Sequence, residues 1–403
     1  KPDFVEAHSN IIDVLEKTNS ADDFRRAVAV AKKNCPNHPL ISLGEAQLLK
    51  LDGDYKAARI VLEAVGEDVA DTQFQVERSL LLGDLCDRLG DVESAFGYFK
   101  EGNDRSRGTS RTKRVDEALF VKQIDVLAER FTPDWIAGWR NIQGNDDGRA
   151  DPVFMVGFPR SGTTLLDTIL RSHHAITVVE EMPTVQNMRL ALEGLPSGYP
   201  DGLLELDPAH LEKLRQVYFA ELDKHLEPEE RSGIVIDRMP LNIVEAGFIH
   251  RIFPQSRFVF AQRHPCDCVL SCFMQNFLPN NANVNFLDLE DAARLYDKAM
   301  TLWQHHQENL PLEVYTVRYE SLVEEFEETL NPLLHFLGVE WDDGIRNYTE
   351  TAKSRKKIKT ASYNQVTQPL YTRARGRWER YRTQMQPVLS VLLPWARRYG
   401  YVD

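Results

Sequence analysis

The residues best suited to chemistry lie in one short run, VFMVGFPRSGTTLL, which begins at Val153. From Gly157 to Thr164 it reads G-x-x-x-x-G-T-T. An apolar strand, a glycine-bounded turn and a helix start set backbone N–H groups at a helix N-terminus, aimed at an anion. Gly157 and Gly162 permit the tight path, while Ser161, Thr163 and Thr164 add hydroxyl donors. The pattern is a Walker-type phosphate loop with the lysine missing. Thr163 stands in its place, and Arg160 has entered the loop. A triphosphate site of this kind brings Mg²⁺, held by the loop hydroxyl and an aspartate, and uses the lysine on the outer phosphates. Without that lysine the loop suits a less charged group. A sulfuryl group carries one fewer negative charge than a phosphoryl group and can be transferred with side chains and no metal.

The fuller string PRSGTTLL, after an apolar strand, resembles the sulfotransferase superfamily, whose donor is 3′-phosphoadenosine 5′-phosphosulfate (PAPS). It is most similar to the branch of tyrosylprotein sulfotransferases and their tetratricopeptide-bearing bacterial relatives, and the likeness runs from about Val153 to Tyr401. The resemblance implies that Arg160, Ser161, Gly162, Thr163 and Thr164 grip the 5′-phosphosulfate. In FVFAQRHPCDCVLSCF it implies a 3′-phosphate site of Arg263 and Ser271, where a guanidinium fork and a hydroxyl approach one anion. In VVEEMP it implies Glu181 as catalytic base, since an acceptor hydroxyl must lose its proton as the sulfuryl group arrives. IDRMPLN holds a departure: the family's lysine at the bridging oxygen is here Arg238, which keeps the charge but donates no proton. In the late segment KTASYNQVTQPLYTRARGRW, Ser362 matches a catalytic serine and Arg377 a basic residue that reaches the 3′-phosphate. Arg373 and Arg375 are alternatives for that task, and Tyr319 in VRYESL matches a residue that touches the nucleotide.

Each assignment has a plainer counterpart. Glu180 and Glu181 suit a solvated helix start, Arg238 a salt bridge to Asp237 or Glu245, and Tyr319 a core position. His173 and His174, at the end of the loop helix, read as structural. Two rival functions stand beside sulfuryl transfer. One is a metal-dependent kinase or NTPase, for which Asp237 is the sole candidate metal aspartate; the other is a repeat scaffold that binds nucleotide without chemistry. The acceptor expected is a hydroxyl, of a peptide or protein tyrosine or alternatively of a sugar or small molecule.

These residues need a scaffold. Apolar runs PVFMVG, GIVID, SRFVFAQ and LEVYTVR alternate with helical stretches, which predicts a parallel sheet flanked by helices with ligands at the carboxyl ends of its strands. The expected fold is thus an α/β phosphate-loop-like sulfotransferase domain over 150–403, preceded over 1–145 by an all-α tetratricopeptide-like domain. Two segments of the latter align, each with a small residue in its first helix (Ala46, Gly83), a Gly-Asp turn (Gly53-Asp54, Gly90-Asp91) and an alanine in its second helix (Ala58, Ala95). Such repeats suit either a concave peptide-binding face or a helical cap over the next domain. The tail QPVLSVLLPWARRYGY reads as a helix interrupted at Pro394.

Composition excludes several classes. A net charge of -13 argues against nucleic-acid and membrane-surface binding, and no run of about 20 apolar residues spans a membrane. The arginines are instead concentrated locally, where a multiply charged anion must sit. Cys266, Cys268 and Cys272 supply three thiolates without a fourth ligand, so they read as small buried residues in a reducing, cytoplasmic setting. The chain opens on Lys1 with no signal-like start, which leaves a trimmed leader open.

Overall fold

The computed structural model describes residues 1–16, 20–66, 69, 71–139, 148–354 and 375–401. Ser362 and Arg373 lie outside the described residues, as does most of the linker-like run around 140–147. The chain begins with three helix pairs: α1 (Val5–Glu16) with α2 (Ala21–Asn34), α3 (Pro39–Leu51) with α4 (Tyr55–Glu63), and α5 (Thr72–Leu89) with α6 (Val92–Arg107). The Gly-Asp turns work as paired caps. Gly53 and Gly90 take the left-handed conformation, with φ of 83° and 80°. Asp54 and Asp91 then accept the Ala57 and Ser94 amides at 3.0 and 3.2 Å. The small residues act as expected. Ala46, Ala58 and Ala95 are fully buried, and a Cβ on Gly83 would stand 2.9 Å from the Phe99 ring.

Helices α7 (Glu117–Arg130) and α8 (Pro133–Ala137) lead into a five-stranded, all-parallel sheet. Its strands are β1 (Val153–Gly157), β2 (Ile176–Glu180), β3 (Ile234–Arg238), β4 (Arg257–Gln262) and β5 (Glu313–Arg318), in the order β2-β3-β1-β4-β5. Four of these are the expected runs. The fifth, β2, arises from ITVVE, which sequence reading treated only as a carboxylate-bearing stretch. From β1 the chain crosses to the β2 side, and from β4 it crosses to the β5 side. The crevice outside the ends of β1 and β4 is therefore the place where ligands bind in such sheets.

The two regions share one core. Val76, Leu80 and Phe99 of the last helix pair join Leu127 of α7 and Phe131, just past its end, in a cluster with Leu270, Phe273 and Trp303 of the sheet region. Phe96 stacks on Phe273 at 5.2 Å, and Asn103 Nδ2 donates to the Phe273 carbonyl at 2.9 Å. The tail corrects the expected break at Pro394: one helix runs from Gln386 to Arg398 with Pro394 inside it. Proline forfeits a single backbone hydrogen bond there, while burial of Leu392, Trp395 and Ala396 on both sides keeps the helix whole. No described helix is long and apolar enough to cross a membrane.

Candidate active site

The loop after β1 is shaped by contact as much as by conformation. A Cβ on Gly157 would lie 2.6 Å from the Ala261 carbonyl of β4. Gly162 has φ of 99°, and a Cβ there would meet the Tyr319 ring at 2.7 Å. Arg160 is also left-handed, with φ of 71°, a strained state for a residue with a side chain. Helix α9 (Thr163–Leu170) starts at Gly162, which offers no side-chain cap, so its first amides face the loop. Ser161 is 2% exposed, and its Oγ has no hydrogen-bond partner among the described residues. A buried hydroxyl without a partner is costly. A glycine-bounded loop, uncapped amides and that hydroxyl fit an anion.

Three expected ligands converge on this loop. Arg160 Nε donates to Ser271 Oγ at 3.0 Å, and Arg263 Nη1 donates to the Arg160 carbonyl at 3.0 Å. Arg263 directly follows β4, and Ser271 lies on the next helix, α10 (Pro265–Phe273). The Arg263 guanidinium also sits 4.9 Å over the Tyr319 ring. Burial alone would lower its pKa, but Asp267 and its neighbours more than offset that. Asp267, which sequence reading passed over, accepts the Gly376 and Trp378 amides at 2.8 and 2.9 Å. It thereby ties the late segment to the helix that carries Ser271. In that segment Arg375 pairs with Glu324, and Arg377 Nη2 lies 2.9 Å from Asp87 of α5.

Glu181 and Arg238 form a second group, at the ends of β2 and β3. Arg238 is fully buried, and three carboxylates surround its guanidinium. Glu181 Oε1 lies 2.6 Å from Nη1, Glu180 Oε1 2.5 Å from Nη2, and Asp167 Oδ2 3.1 Å from Nη2. None of these is the salt-bridge partner suggested by sequence. Strand alternation sends Asp237 to the opposite face, where Thr184 and Tyr218 donate to it at 2.6 and 2.9 Å. Glu245 instead accepts from Tyr199 and Gln123. Asp237 thus faces away from the loop hydroxyls with which a Walker aspartate would share a metal. Burial pushes its pKa up to about 6, opposed by those two hydrogen bonds and Arg238.

Glu181 has φ of 50°, and its amide donates to the Arg238 carbonyl at 2.9 Å, so its backbone is held by the residue that holds its side chain. Its carboxylate stays 35% exposed. Burial raises its pKa above the ordinary carboxylate value; Arg238 opposes this and Glu180 reinforces it. Arg238 is shared by three carboxylates, of which Asp167 also pairs with Arg171 at 2.6 Å, so negative charge remains in excess beside Glu181. Asp167 was missed by sequence reading, although a carboxylate in the apolar helix TTLLDTIL is a signal, because such a charge is buried only when paired.

The remaining candidates have structural contacts. His173 Nε2 lies 2.9 Å from the Glu340 carbonyl and its Nδ1 accepts the Ala175 amide, while His174 Nδ1 pairs with Asp342 at 2.6 Å. All five cysteines are buried and unbonded to one another, and burial pushes the Cys268 thiol up to about 12.

A glycine-bounded loop at the switch point of a parallel sheet, with Arg263 and Ser271 beside it, has the geometry of an anion site. Residues 152–343 match the sulfotransferase family model. An uncharacterized protein of Aquifex aeolicus is 25% identical over 351 residues, which cover 84% of this chain and 44% of that protein. Protein-tyrosine sulfotransferase 1 of Danio rerio is 25% identical over 268 residues, covering 62% of this chain and 72% of the enzyme. The chain thus spans less than half the length of the Aquifex relative. Among solved structures, a sulfotransferase domain from the Synechococcus PCC 7002 olefin synthase aligns with 59% of this chain and 92% of its own, at 19% identity and a TM-score of 0.39.

Proposed function

We propose that the protein transfers a sulfuryl group from PAPS to an acceptor hydroxyl. The observation that carries this reading is the junction of Arg160, Ser271 and Arg263 at the carboxyl ends of β1 and β4. It joins a lysine-free phosphate loop to a second anion site, as a donor with phosphates at both ends of its ribose requires. Ser161, Gly162, Thr163 and Thr164 bind the 5′-phosphosulfate with Arg160. Arg263, Ser271 and Arg377 bind the 3′-phosphate, with Tyr319 beside the nucleotide. Arg373, Arg375 and Ser362 complete the late segment.

Glu181 accepts the acceptor's proton as the new oxygen–sulfur bond forms and the bond from sulfur to the phosphate oxygen breaks. The products are a sulfate ester and 3′-phosphoadenosine 5′-phosphate. Arg160 and the loop amides steady charge on the sulfuryl and phosphate oxygens. Arg238, whose guanidinium is held by Asp167, Glu180 and Glu181, orients Glu181. Relatedness to protein-tyrosine sulfotransferases favours a peptide or protein tyrosine as acceptor, presented by tetratricopeptide-like helices over 1–145 to a transferase unit over 150–403. Buried, unbonded thiols favour a reducing compartment, the cytoplasm.

Calorimetry with 3′-phosphoadenosine 5′-phosphate against magnesium–ATP tests the donor; tighter binding of the triphosphate would refute it. Sulfated-product formation by wild type and Glu181→Gln tests the base. The occupied guanidinium of Arg238 favours a second reading, nucleotide binding without chemistry. Absence of product from wild type with PAPS and tyrosine peptides, sugars or cell extract would establish it.

A further inference from the structure

The segment that follows 374 is held from two sides. Asp267 caps Gly376 and Trp378 from the helix that carries Ser271. Asp87, at the end of α5 in the helical region, is 6% exposed and its carboxylate is met by three residues. Arg377 reaches it with Nε at 3.3 Å and Nη2 at 2.9 Å, Arg380 with Nη2 at 3.1 Å, and the Tyr381 hydroxyl at 2.7 Å. A cavity of about 390 Å³ opens at this junction, lined by Asp87, Arg88, Arg375, Arg377 and Arg380. The geometry of the Arg377 contact matters. Asp87 grips the side edge of the guanidinium, Nε with Nη2, so the end edge that includes Nη1 is not used by this carboxylate. A planar fork held on one edge is oriented on the other, and loses less freedom when a second anion arrives. Gly90 and Asp91 follow directly and turn the chain sharply into α6, which fixes the end of α5 and with it Asp87.

We propose that Asp87 is a positioning residue for Arg377, so that the helical region completes the donor's 3′-phosphate site. This inference rests on the PAPS reading above. The helices before the sheet are then part of the nucleotide machinery, whatever else their outer surface binds. Arg380 and Tyr381 anchor the same carboxylate, which keeps it in place when Arg377 engages phosphate.

The test compares 3′-phosphoadenosine 5′-phosphate with adenosine 5′-phosphate by calorimetry on the full chain. The ratio of their dissociation constants measures what the 3′-phosphate contributes. In Asp87→Asn this ratio is expected to fall about tenfold, the value of one well-placed charged hydrogen bond, with adenosine 5′-phosphate binding unchanged. In Asp87→Asn combined with Arg377→Gln it should fall no further than in Arg377→Gln alone. Where Asp87→Asn fails to fold, Asp87→Glu, which keeps the charge and displaces it by a methylene, should lower the ratio in the same way. An unchanged or larger ratio, equal weakening of both nucleotides, or multiplying effects in the double variant would overturn the inference while leaving the donor assignment intact. A wild-type protein that does not distinguish the two nucleotides would overturn the donor assignment, and this inference with it.

Discussion

Replacing Arg238 by methionine keeps most of the side-chain length and removes a charge that has no solvent exposure. Three carboxylates lose their shared partner at once. Breaking a buried ion pair from one side costs about 3–5 kcal/mol. Asp167 keeps Arg171 at 2.6 Å and Glu181 is 35% exposed, so the lower end, about 3 kcal/mol, is expected at neutral pH. At roughly 2–4 °C per kcal/mol the unfolding midpoint should fall by roughly 6–12 °C. The deficit should shrink as pH falls, because protonation removes the uncompensated charges. Catalysis supplies an independent reading. Glu181 already titrates above the ordinary carboxylate value, and Arg238 is the main influence holding it down. Without it the acidic limb of kcat/KM should move upward by about one to three pH units. Thermal unfolding from pH 5 to 8, with a pH–rate profile of bisphosphate release, measures both effects. A wild-type acidic limb would show that Arg238 does not set the state of Glu181, and a wild-type midpoint at every pH would refute the buried clasp.

Two further outcomes follow from the geometry. Gly162→Ala places a Cβ in a left-handed position 2.7 Å from the Tyr319 ring. Displacement of the loop at about 1–3 kcal/mol of strain should weaken 3′-phosphoadenosine 5′-phosphate binding about ten- to hundredfold; unchanged affinity in calorimetry would remove the loop from the nucleotide site. Asp237 has a folded-state pKa raised to about 6, so its stabilising contribution is full below the unfolded value and is lost as pH rises through about 6. Asp237→Asn should therefore gain on wild type with rising pH, by up to about 3 kcal/mol above pH 7. Denaturant titrations that show a constant difference from pH 4 to 8 would contradict this.

The loop of the candidate site was legible because glycine-bounded turns are local. Glycine spacing after an apolar strand specifies a turn and a helix start whatever surrounds them, and Arg160, Ser161 and the threonines follow from position alone. Four of five strands were legible for a similar reason, as apolar runs bounded by turns. β2 was obscured because its carboxylate-bearing end drew a chemical reading. The Gly-Asp turns announced their caps, since each residue acts on its own neighbours. Pro394 misled because a lost hydrogen bond is local, whereas the burial of Leu392 and Trp395 that outweighs it is not.

Partnership was where sequence reading failed. It offered Asp237 or Glu245 for Arg238 and overlooked Asp167, Asp267 and Asp87. The amino-acid order alone determined which residues form the loop, the strands and the caps, because those depend on spacing over a few residues. Only tertiary structure decided which carboxylate meets which guanidinium. Arg238 joins Asp167 across 71 positions and Arg377 joins Asp87 across 290, and such a choice is made by strand alternation and helix packing. A buried charge must find an opposite one, but the requirement does not name the partner.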